Sequence, residues 1–454
     1  MPTMSEKLGA YASRLKYEDL PAEVIHKAKC LILDTIGCAF GGYDSEPAKI
    51  AHDYASSITS RKPATVLCSG LQTSADLAAF VNDVMMRYLD FNDGYITHGS
   101  GHPSDSIGAL LPAAELANAG GRELILGTVT AYEVFCRICD AWDNKQCGID
   151  HATIGAMAST AGAARVYGLT EKRIVEAINL TVAGNVALNQ TRKGRIAMWK
   201  ACGYANANRN ALFAVEMASR GMTGPSQVFE GHDGFFNVVS RGAFELPPLG
   251  GGGRPFGIMQ AHIKQFPLGN FSQTVVNAAL EARAAVGEVR NIEEVHIRTT
   301  QNGLDIMADT PEKWRPPNRE TADHSIPYTA GVALLYGTID LKYFDERYLE
   351  DEELLGVISR IKCSPSDEAN RRSAEMNLCE LDVVTRSGER TSIRVEYHRG
   401  HWLNPMSDAE LETKFRSLVA DQLPVHRLDA LIAQLWKLEE LGEVAKLVRM
   451  TKIS

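Results

Sequence analysis

Residues 87–105 read RYLDFNDGYITHGSGHPSD, and this polar segment lies between two apolar runs of helical spacing, 75–89 and 107–119. Acids, two histidines and three glycines crowd into the segment, and neither a helical nor a strand period explains them. A helix cap and a turn at Asp93-Gly94 would account for only one or two of these residues. Because catalytic side chains are often placed on loops held by rigid elements, we predict an active-site loop between two packed helices.

Length and composition limit the class of protein. A chain of 454 residues exceeds what one hydrophobic core usually supports, so two domains are expected. Hydrophobic residues make up 45% and charged residues 23%, as in ordinary globular proteins, and a net charge of -9 argues against nucleic-acid or membrane-surface partners. The chain has no apolar run of membrane-spanning length and begins without an apolar secretory core, so we expect a cytoplasmic location.

The nine cysteines stand mostly in apolar, helix-like runs and are expected to be reduced and buried. Cys136 and Cys139, followed by Cys147, have a spacing that also occurs in metal and iron–sulfur sites. They lie inside a helical pattern at 131–142, and no second cysteine pair follows, so a structural role is favoured.

Helical periodicity dominates the first half of the chain. Apolar residues recur at three- and four-residue intervals in the segments predicted as helices: 22–40, 75–89, 113–119, 126–142, 152–167, 174–188 and 205–220. The glycine-rich stretch that follows ends in four glycines at 250–253. It lacks the preceding strand and the Lys-Ser/Thr ending of a phosphate loop, so we interpret it as a flexible linker.

Strand-like alternation replaces the helical period later in the chain. The alternating segments are 295–298, 381–385 and 391–397, with a turn between the last two, and they predict a smaller α/β domain. Residues 411–450 return to a helical pattern, and these helices are expected to pack back on the first domain.

Three residues beyond the opening loop attract attention singly. His151 would lie at a helix N-terminus, where the dipole disfavours the imidazolium, although a capping or core role is equally open. Lys200 follows three cations at 192–195 that a solvated face explains, but it stands among small apolar residues, where a lysine usually holds an anion. Lys264 lies beside a predicted turn, and the alternative to a functional role is an ordinary surface lysine.

A fourth place is the segment 318–328. It supplies Arg319, His324 and Tyr328, which are an anion-binding fork, a proton carrier and a phenol, although Asp323 or Ser325 could simply cap the next helix. A pocket with carboxylates, imidazoles and lysines suits removal of a proton next to a carboxylate and departure of a hydroxyl group from a polyanionic acid.

The spacing of Asp-Phe-Asn-Asp at 90–93 and His-Pro-Ser-Asp at 102–105 resembles the hallmark loop of the MmgE/PrpD family, and especially of its 2-methylcitrate dehydratases. Further matches run along the chain: Asp150-His151, Met198-Trp199-Lys200, 221–225 with Glu230-Gly231, Lys264 with Phe266-Pro267, Ser272-Gln273-Thr274, 319–325 and Asn404-Pro405-Met406. The family also contains cis-aconitate decarboxylases and iminodisuccinate epimerase, so the resemblance leaves the substrate open.

The resemblance implies a mainly α fold with two domains. Residues 1–265 and 405–454 would form a large all-helical domain from both ends of the chain, and residues 266–404 a smaller α/β lid. It also implies an active site in the cleft between the domains, a small polycarboxylate substrate, no required metal or cofactor, and a homodimer.

Carried over to this sequence, the resemblance and the residue chemistry assign two sets of roles. The residues expected to be catalytic are Asp90, His102, His151 and Lys200. The residues expected to bind substrate are Asp93, Lys200, Lys264, Arg319, His324 and Tyr328. Two positions depart from the family pattern: Gly94 replaces a Thr or Ser of many members, and Phe271 replaces a His of the dehydratases.

The leading hypothesis is a cofactor-independent hydro-lyase that acts on a tri- or dicarboxylic hydroxy acid. An epimerase of an amino-diacid and a decarboxylase of an unsaturated tricarboxylate would use the same pocket and remain alternatives. The third hypothesis is a non-catalytic carboxylate-binding homologue that has lost polar groups at Gly94 and Phe271.

Overall fold

The fold is mainly helical. The computed structural model describes residues 1–373 and 375–453, and 57% of the chain is helix against 10% strand, which confirms the predicted fold class. The helices of the first part are α1 (Met4–Arg14), α2 (Ala22–Gly42), α3 (Glu46–Ser56), α4 (Ala75–Tyr88), α5 (Ile107–Ala117), α6 (Gly121–Ala141), α7 (Ala152–Val166), α8 (Glu171–Gly184), α9 (Trp199–Ser219) and α10 (Phe235–Val238).

Short strands connect these helices. They are β1 (Ala64–Thr65), β2 (Gln72–Thr73), β3 (Asp93–Ile96), β4 (Ser100–Gly101) and β5 (His262–Ile263). Antiparallel pairing gives one sheet of β1 and β2 and a second in the order β4-β3-β5. The segment predicted as an active-site loop therefore contains a hairpin. Its strands are short and gain a partner from a distant part of the chain, which local periodicity does not reveal.

The second part of the chain contains a four-stranded sheet together with helices. Its elements are α11 (Ser272–Val286), β6 (Ile292–Thr299), α12 (Gln301–Met307), α13 (Pro311–Trp314), α14 (Arg319–Ala322), α15 (Ile326–Tyr336), α16 (Glu346–Leu349), α17 (Glu352–Ile358), β7 (Ile361–Pro365), α18 (Asp367–Arg371), β8 (Cys379–Thr385) and β9 (Arg390–Val395). The strand order is β7-β6-β8-β9, with β6 and β7 parallel and the other pairs antiparallel. The predicted strands are confirmed, and β7 is an additional one.

The chain ends in three helices rather than one continuous helical region: α19 (Asp408–Val419), α20 (Val425–Trp436) and α21 (Val444–Met450). Ser407 and Glu410 form a capping box that begins α19. Pro424 precedes α20 and separates it from α19, since proline lacks the N–H that would continue a helix.

Two large hydrophobic cores are present. The first combines residues between Met4 and Ile263 with Leu411, Phe415 and other residues of the last helices, so the chain end returns to the first part as expected. The second lies between Leu268 and Val395. This arrangement supports the division into 1–265 with 405–454 and 266–404, and we keep these boundaries as a proposal.

The four consecutive glycines are held in place rather than forming a flexible linker. The backbone N–H of Gly250 donates to the buried Glu133 carboxylate at 2.7 Å, and Gly257 N–H donates to the other oxygen at 2.7 Å. Gly251 and Arg254 also pair through their backbones. Burial of a carboxylate requires such donors, which explains why this stretch is anchored.

Among the described helices, none combines the length and apolar character needed to cross a bilayer.

Candidate active site

Asp90 is the centre of the candidate site, and it follows the end of α4. Its backbone has a φ of 51°, in the left-handed region that non-glycine residues seldom adopt, and its N–H donates to the Arg87 carbonyl at 3.1 Å. The side chain is fully buried. The turn after α4 therefore directs a carboxylate into the protein interior, where it requires cationic partners.

Four groups supply those partners. Arg87 Nη1 lies 2.7 Å from Asp90 Oδ1, and Lys264 Nζ makes a short contact with the same oxygen. Lys200 Nζ lies 3.5 Å and His324 Nδ1 3.0 Å from Asp90 Oδ2. Burial alone would raise the pKa of Asp90, but Arg87, Lys264 and their neighbours hold it well below its usual range. Asp90 is thus a fixed negative charge.

Secondary structure explains how these cations reach Asp90. Lys264 directly follows β5, which pairs with β3 of the hairpin after Asp90. Lys200 is the second residue of α9, a helix that packs along α4. Its Nζ also makes a short contact with Asp323, immediately before His324. The second part of the chain is thereby joined to the first through buried ion pairs.

His102 is a neutral imidazole in a fixed tautomer. Its Nδ1 lies 2.6 Å from the Asp93 carbonyl, which can only accept, so Nδ1 carries the proton. Its Nε2 then accepts from Arg87 Nη2 at 3.0 Å. Burial lowers the pKa of His102 well below its usual value, and Arg87 and Lys264 lower it further.

His151 immediately precedes α7, which confirms the predicted position at a helix N-terminus. Burial lowers the pKa of His151 to about 3, and the nearby Arg192 contributes although Asp150 opposes it. The helix dipole acts in the same direction. Its ring lies edge-on to His102 at 5.2 Å, and within the described residues its Nε2 has no hydrogen-bond partner. His151 therefore offers a free, neutral imidazole nitrogen.

These side chains surround a cavity of about 60 Å³. Its polar and charged lining residues include Arg87, Asp90, His102, Asn144, Lys145, His151, Asn189, Arg192, Asn270 and His324. Its apolar lining residues are Ile96, Phe271, Ile306 and Met307. Pockets for drug-sized ligands measure about 300–1,000 Å³, so this space suits a small molecule.

Arg192 and Lys145 were not predicted as site residues. Arg192 was interpreted as part of a solvated face, but it is 7% exposed because Asp150 accepts from its Nε at 3.0 Å. Its Nη2 is buried and has no partner among the described residues. Lys145 Nζ lies 5.2 Å from the centre of the Phe271 ring, and burial lowers its pKa to about 8. In the sequence, the signal for a buried cation was Asp150, the acidic residue directly before His151.

Of the six predicted substrate contacts only His324 lines the cavity, and Asp93, Arg319 and Tyr328 are three of the five that do not. Asp93 is fully buried, and its oxygens accept hydrogen bonds from Ser104 and Tyr132. Tyr328 donates its hydroxyl to the Tyr343 carbonyl at 2.5 Å within the second core. Arg319 packs over the rings of two aromatic residues, at 5.0 Å from Tyr88 and 5.3 Å from Phe344. Asp93 and Tyr328 thus use their polar atoms within the protein, whereas Arg319 Nε and Nη2 are buried without a hydrogen-bond partner among the described residues.

The two predicted lysines are also deeply buried. Lys200 and Lys264 contact carboxylates rather than the open cavity, and they shape the field around Asp90. Burial lowers the pKa of Lys264 to about 8, although Asp90 opposes the shift. A ligand carboxylate would have to compete with Asp90 and Asp323 for these ammonium groups.

One set of metal-ligand atoms occurs at the site. Asp90, Asp323 and His324 each offer one such atom, all within 4.8 Å of one another. The ammonium groups of Lys200 and Lys264 contact the same carboxylates and already balance their charge. A divalent cation does not fit this donor set without displacing a lysine, and the expectation that none is required stays a prediction.

Cys136 and Cys139 are buried within α6, and burial raises the pKa of both thiols well above the usual value. The thiol form is thus favoured over the thiolate that ligates metals. Both observations support the structural role that the sequence favoured.

Comparison with known proteins identifies the family. The MmgE/PrpD N-terminal domain matches residues 6–247, and the MmgE/PrpD C-terminal domain matches residues 266–438. The chain belongs to the MmgE/PrpD family. Similar proteins include a cis-aconitate decarboxylase of Homo sapiens, 27% identical with 100% of this chain and 95% of that protein covered. A 2-methylcitrate dehydratase of Salmonella typhimurium is 28% identical, with 91% of this chain and 89% of that protein covered.

Proposed function

We propose that this protein is a lyase that removes water from a small hydroxy acid with two or three carboxylates, without a cofactor. The observation that carries the proposal is the convergence of Asp90, His102, His151 and His324 on one cavity lined by cationic side chains. Relatives named 2-methylcitrate dehydratase support dehydration as the reaction.

In this reaction a proton leaves the carbon next to a carboxylate, a hydroxyl group leaves the neighbouring carbon, and a carbon–carbon double bond forms. We assign proton removal to His151, because its neutral Nε2 is free of other partners in the described part of the chain. Positioned proton transfer of this kind contributes about 10²–10⁴-fold to the rate. His324 is assigned to the departing hydroxyl on geometry, since it lines the cavity and its Nδ1 lies 3.0 Å from Asp90 and 2.9 Å from Asp323. Burial and Lys200 lower its pKa, and the two carboxylates oppose that shift.

Substrate carboxylates are assigned to Arg192 and Lys145. Arg192 Nη2 is a buried donor that lacks a partner among the described residues, and an unsatisfied guanidinium nitrogen favours a bound oxyanion. Lys145 lines the same cavity, and its Nζ lies 5.2 Å from the centre of the Phe271 ring. Together they would hold the acid so that its reactive carbon faces the imidazoles.

Decarboxylation is the second candidate, because the relative named cis-aconitate decarboxylase is as similar to this chain as the dehydratases are. Epimerisation is less well supported. It would proceed without loss of water or carbon dioxide, whereas the relatives reported above are named for dehydration and decarboxylation.

The test is to incubate the purified protein with 2-methylcitrate, citrate, isocitrate and cis-aconitate. A rise in ultraviolet absorbance of a conjugated acid supports dehydration, whereas released carbon dioxide supports decarboxylation. Deuterium uptake from heavy water without loss of water would support epimerisation. Binding of these acids without turnover would support a non-catalytic homologue and overturn the lyase proposal. His151→Asn should lower kcat by about 10²–10⁴-fold, and His26→Asn is the matched control because His26 is an exposed histidine that does not line the cavity.

Homodimer formation and a cytoplasmic location are also proposed, on the basis of family membership. Light scattering of the purified protein tests the first, and fractionation of the producing cell tests the second.

A further inference from the structure

The space beside Gly94 is filled by side chains from a neighbouring strand and loop. Gly94 in β3 is paired with His262 in β5. A Cβ atom at position 94 would lie 2.5 Å from His262 Nε2, 2.5 Å from Asn270 Nδ2 and 2.6 Å from Asn270 Oδ1. Contacts this short are not tolerated, so a side chain at position 94 and the present arrangement of His262 and Asn270 exclude each other.

His262 fixes the orientation of the Asn270 amide. Its Nε2 lies 3.2 Å from Asn270 Oδ1, and because an amide oxygen only accepts, Nε2 donates. The His262 ring is 3% exposed, and it is packed against His398 and His401 at ring distances of 5.1 Å and 5.9 Å. The Asn270 amide oxygen therefore accepts the hydrogen bond from His262, and the amide nitrogen remains available to donate to another group.

Asn270 borders the cavity, and its amide nitrogen is the group that the His262 contact leaves available. Asn270 lines the cavity beside Phe271, and within the described residues no hydrogen bond from its Nδ2 is found. The cavity lining also includes the apolar side chains of Ile96, Ile306 and Met307, and Asn270 adds an uncharged donor to it. A donor in this position distinguishes ligands by whether they place an oxygen atom opposite it.

We propose that Asn270 is a specificity-determining residue that donates a hydrogen bond to an oxygen of the bound carboxylic acid, and that His262 positions it in the space left by Gly94. This inference deepens the proposed function and shares its ligand class, a small oxygen-rich acid. Gly94 acts without touching the ligand, because its lack of a side chain permits the His262–Asn270 pair.

A double-mutant cycle tests the inference. Asn270→Ala removes one neutral hydrogen bond, so KM should rise about 2- to 10-fold while kcat changes much less. Gly94→Ala displaces the same amide and should raise KM by a similar factor. The double variant should be no worse than Asn270→Ala alone, because both changes remove one interaction. Gly184→Ala is the matched control, since position 184 has open space around its Cβ.

Additive effects of Gly94→Ala and Asn270→Ala, or an unchanged KM in Asn270→Ala, would overturn the inference. The same cycle is measured in parallel as dissociation constants for citrate, cis-aconitate and 2-methylcitrate by calorimetry. If these acids bind without turnover, the proposed function fails while the cycle still decides the role of Asn270. If none of them binds the unmodified protein, the inference is overturned together with the ligand class.

Discussion

Replacement of Tyr132 by phenylalanine tests whether Asp93 is a structural carboxylate rather than a substrate contact. Tyr132 donates its hydroxyl to Asp93 Oδ2 at 2.7 Å, and both residues are fully buried. Burial raises the pKa of Asp93 to about 6. The carboxyl is therefore ionised at pH 8 and largely protonated at pH 5, which makes the strength of this hydrogen bond depend on pH.

The expected loss follows from the charge on the acceptor. A hydrogen bond to a charged group contributes about 1.5–3 kcal/mol, against about 0.5–1.5 kcal/mol between neutral groups. A carboxyl whose pKa is raised by folding contributes stability below its unfolded pKa and loses it as pH rises through about 6. Tyr132→Phe raises that pKa further, so we expect the larger destabilisation at pH 8 and the smaller one at pH 5.

The assay is urea unfolding followed by circular dichroism at both pH values. Tyr167→Phe is the matched control, because Tyr167 contacts the partly buried Glu216 at 3.2 Å and should lose less than about 1 kcal/mol. Equal losses for Tyr132→Phe at pH 5 and pH 8 would refute the reasoning, as would a loss at pH 8 no larger than that of the control.

Three further outcomes are expected. His151→Asn should lower kcat by about 10²–10⁴-fold in the absorbance assay while the melting temperature stays close to that of the parent. Gly121→Ala should destabilise by about 1–3 kcal/mol in thermal unfolding, because its Cβ would lie 1.6 Å from the Leu438 carbonyl oxygen, whereas Gly203→Ala, with open space, should not. Folding lowers the pKa of His398 to about 3, so the stability that comes from keeping its imidazole neutral is lost as the pH falls below about 6.5. His398→Met should therefore reduce the pH slope of the unfolding free energy in this range by up to about 1.4 kcal/mol per pH unit.

The helices were predictable because their cause is local. Apolar residues at three- and four-residue intervals predicted α6, α7 and α9 to within several residues at each end. The position of His151 before α7 followed from the same pattern. The β3–β4 hairpin was not predicted, because its strands depend on pairing with β5 more than 160 residues away.

The direction in which polar side chains face was beyond the sequence. Arg319 and Tyr328 have suitable chemistry for an active site, yet each is used in packing between aromatic rings or within the second core. The sequence assigns Arg192 to a solvated face, but in the fold its Nε donates to Asp150 and its Nη1 donates to the Lys200 carbonyl, and these partners account for its burial. Residue type supplies a chemical capacity, and the surrounding fold selects how that capacity is used.

The sequence by itself determined the helical framework, the location of the polar segment at 87–105 with His102 in it, and the position of His151 before a helix, because spacing and residue type act over short distances. Only the tertiary structure decided that Asp90 is surrounded by Arg87, Lys264, Lys200 and His324. It also decided that Asn270 occupies the space beside Gly94. Burial and opposite charge are properties of groups brought together from distant positions, and no local pattern encodes them.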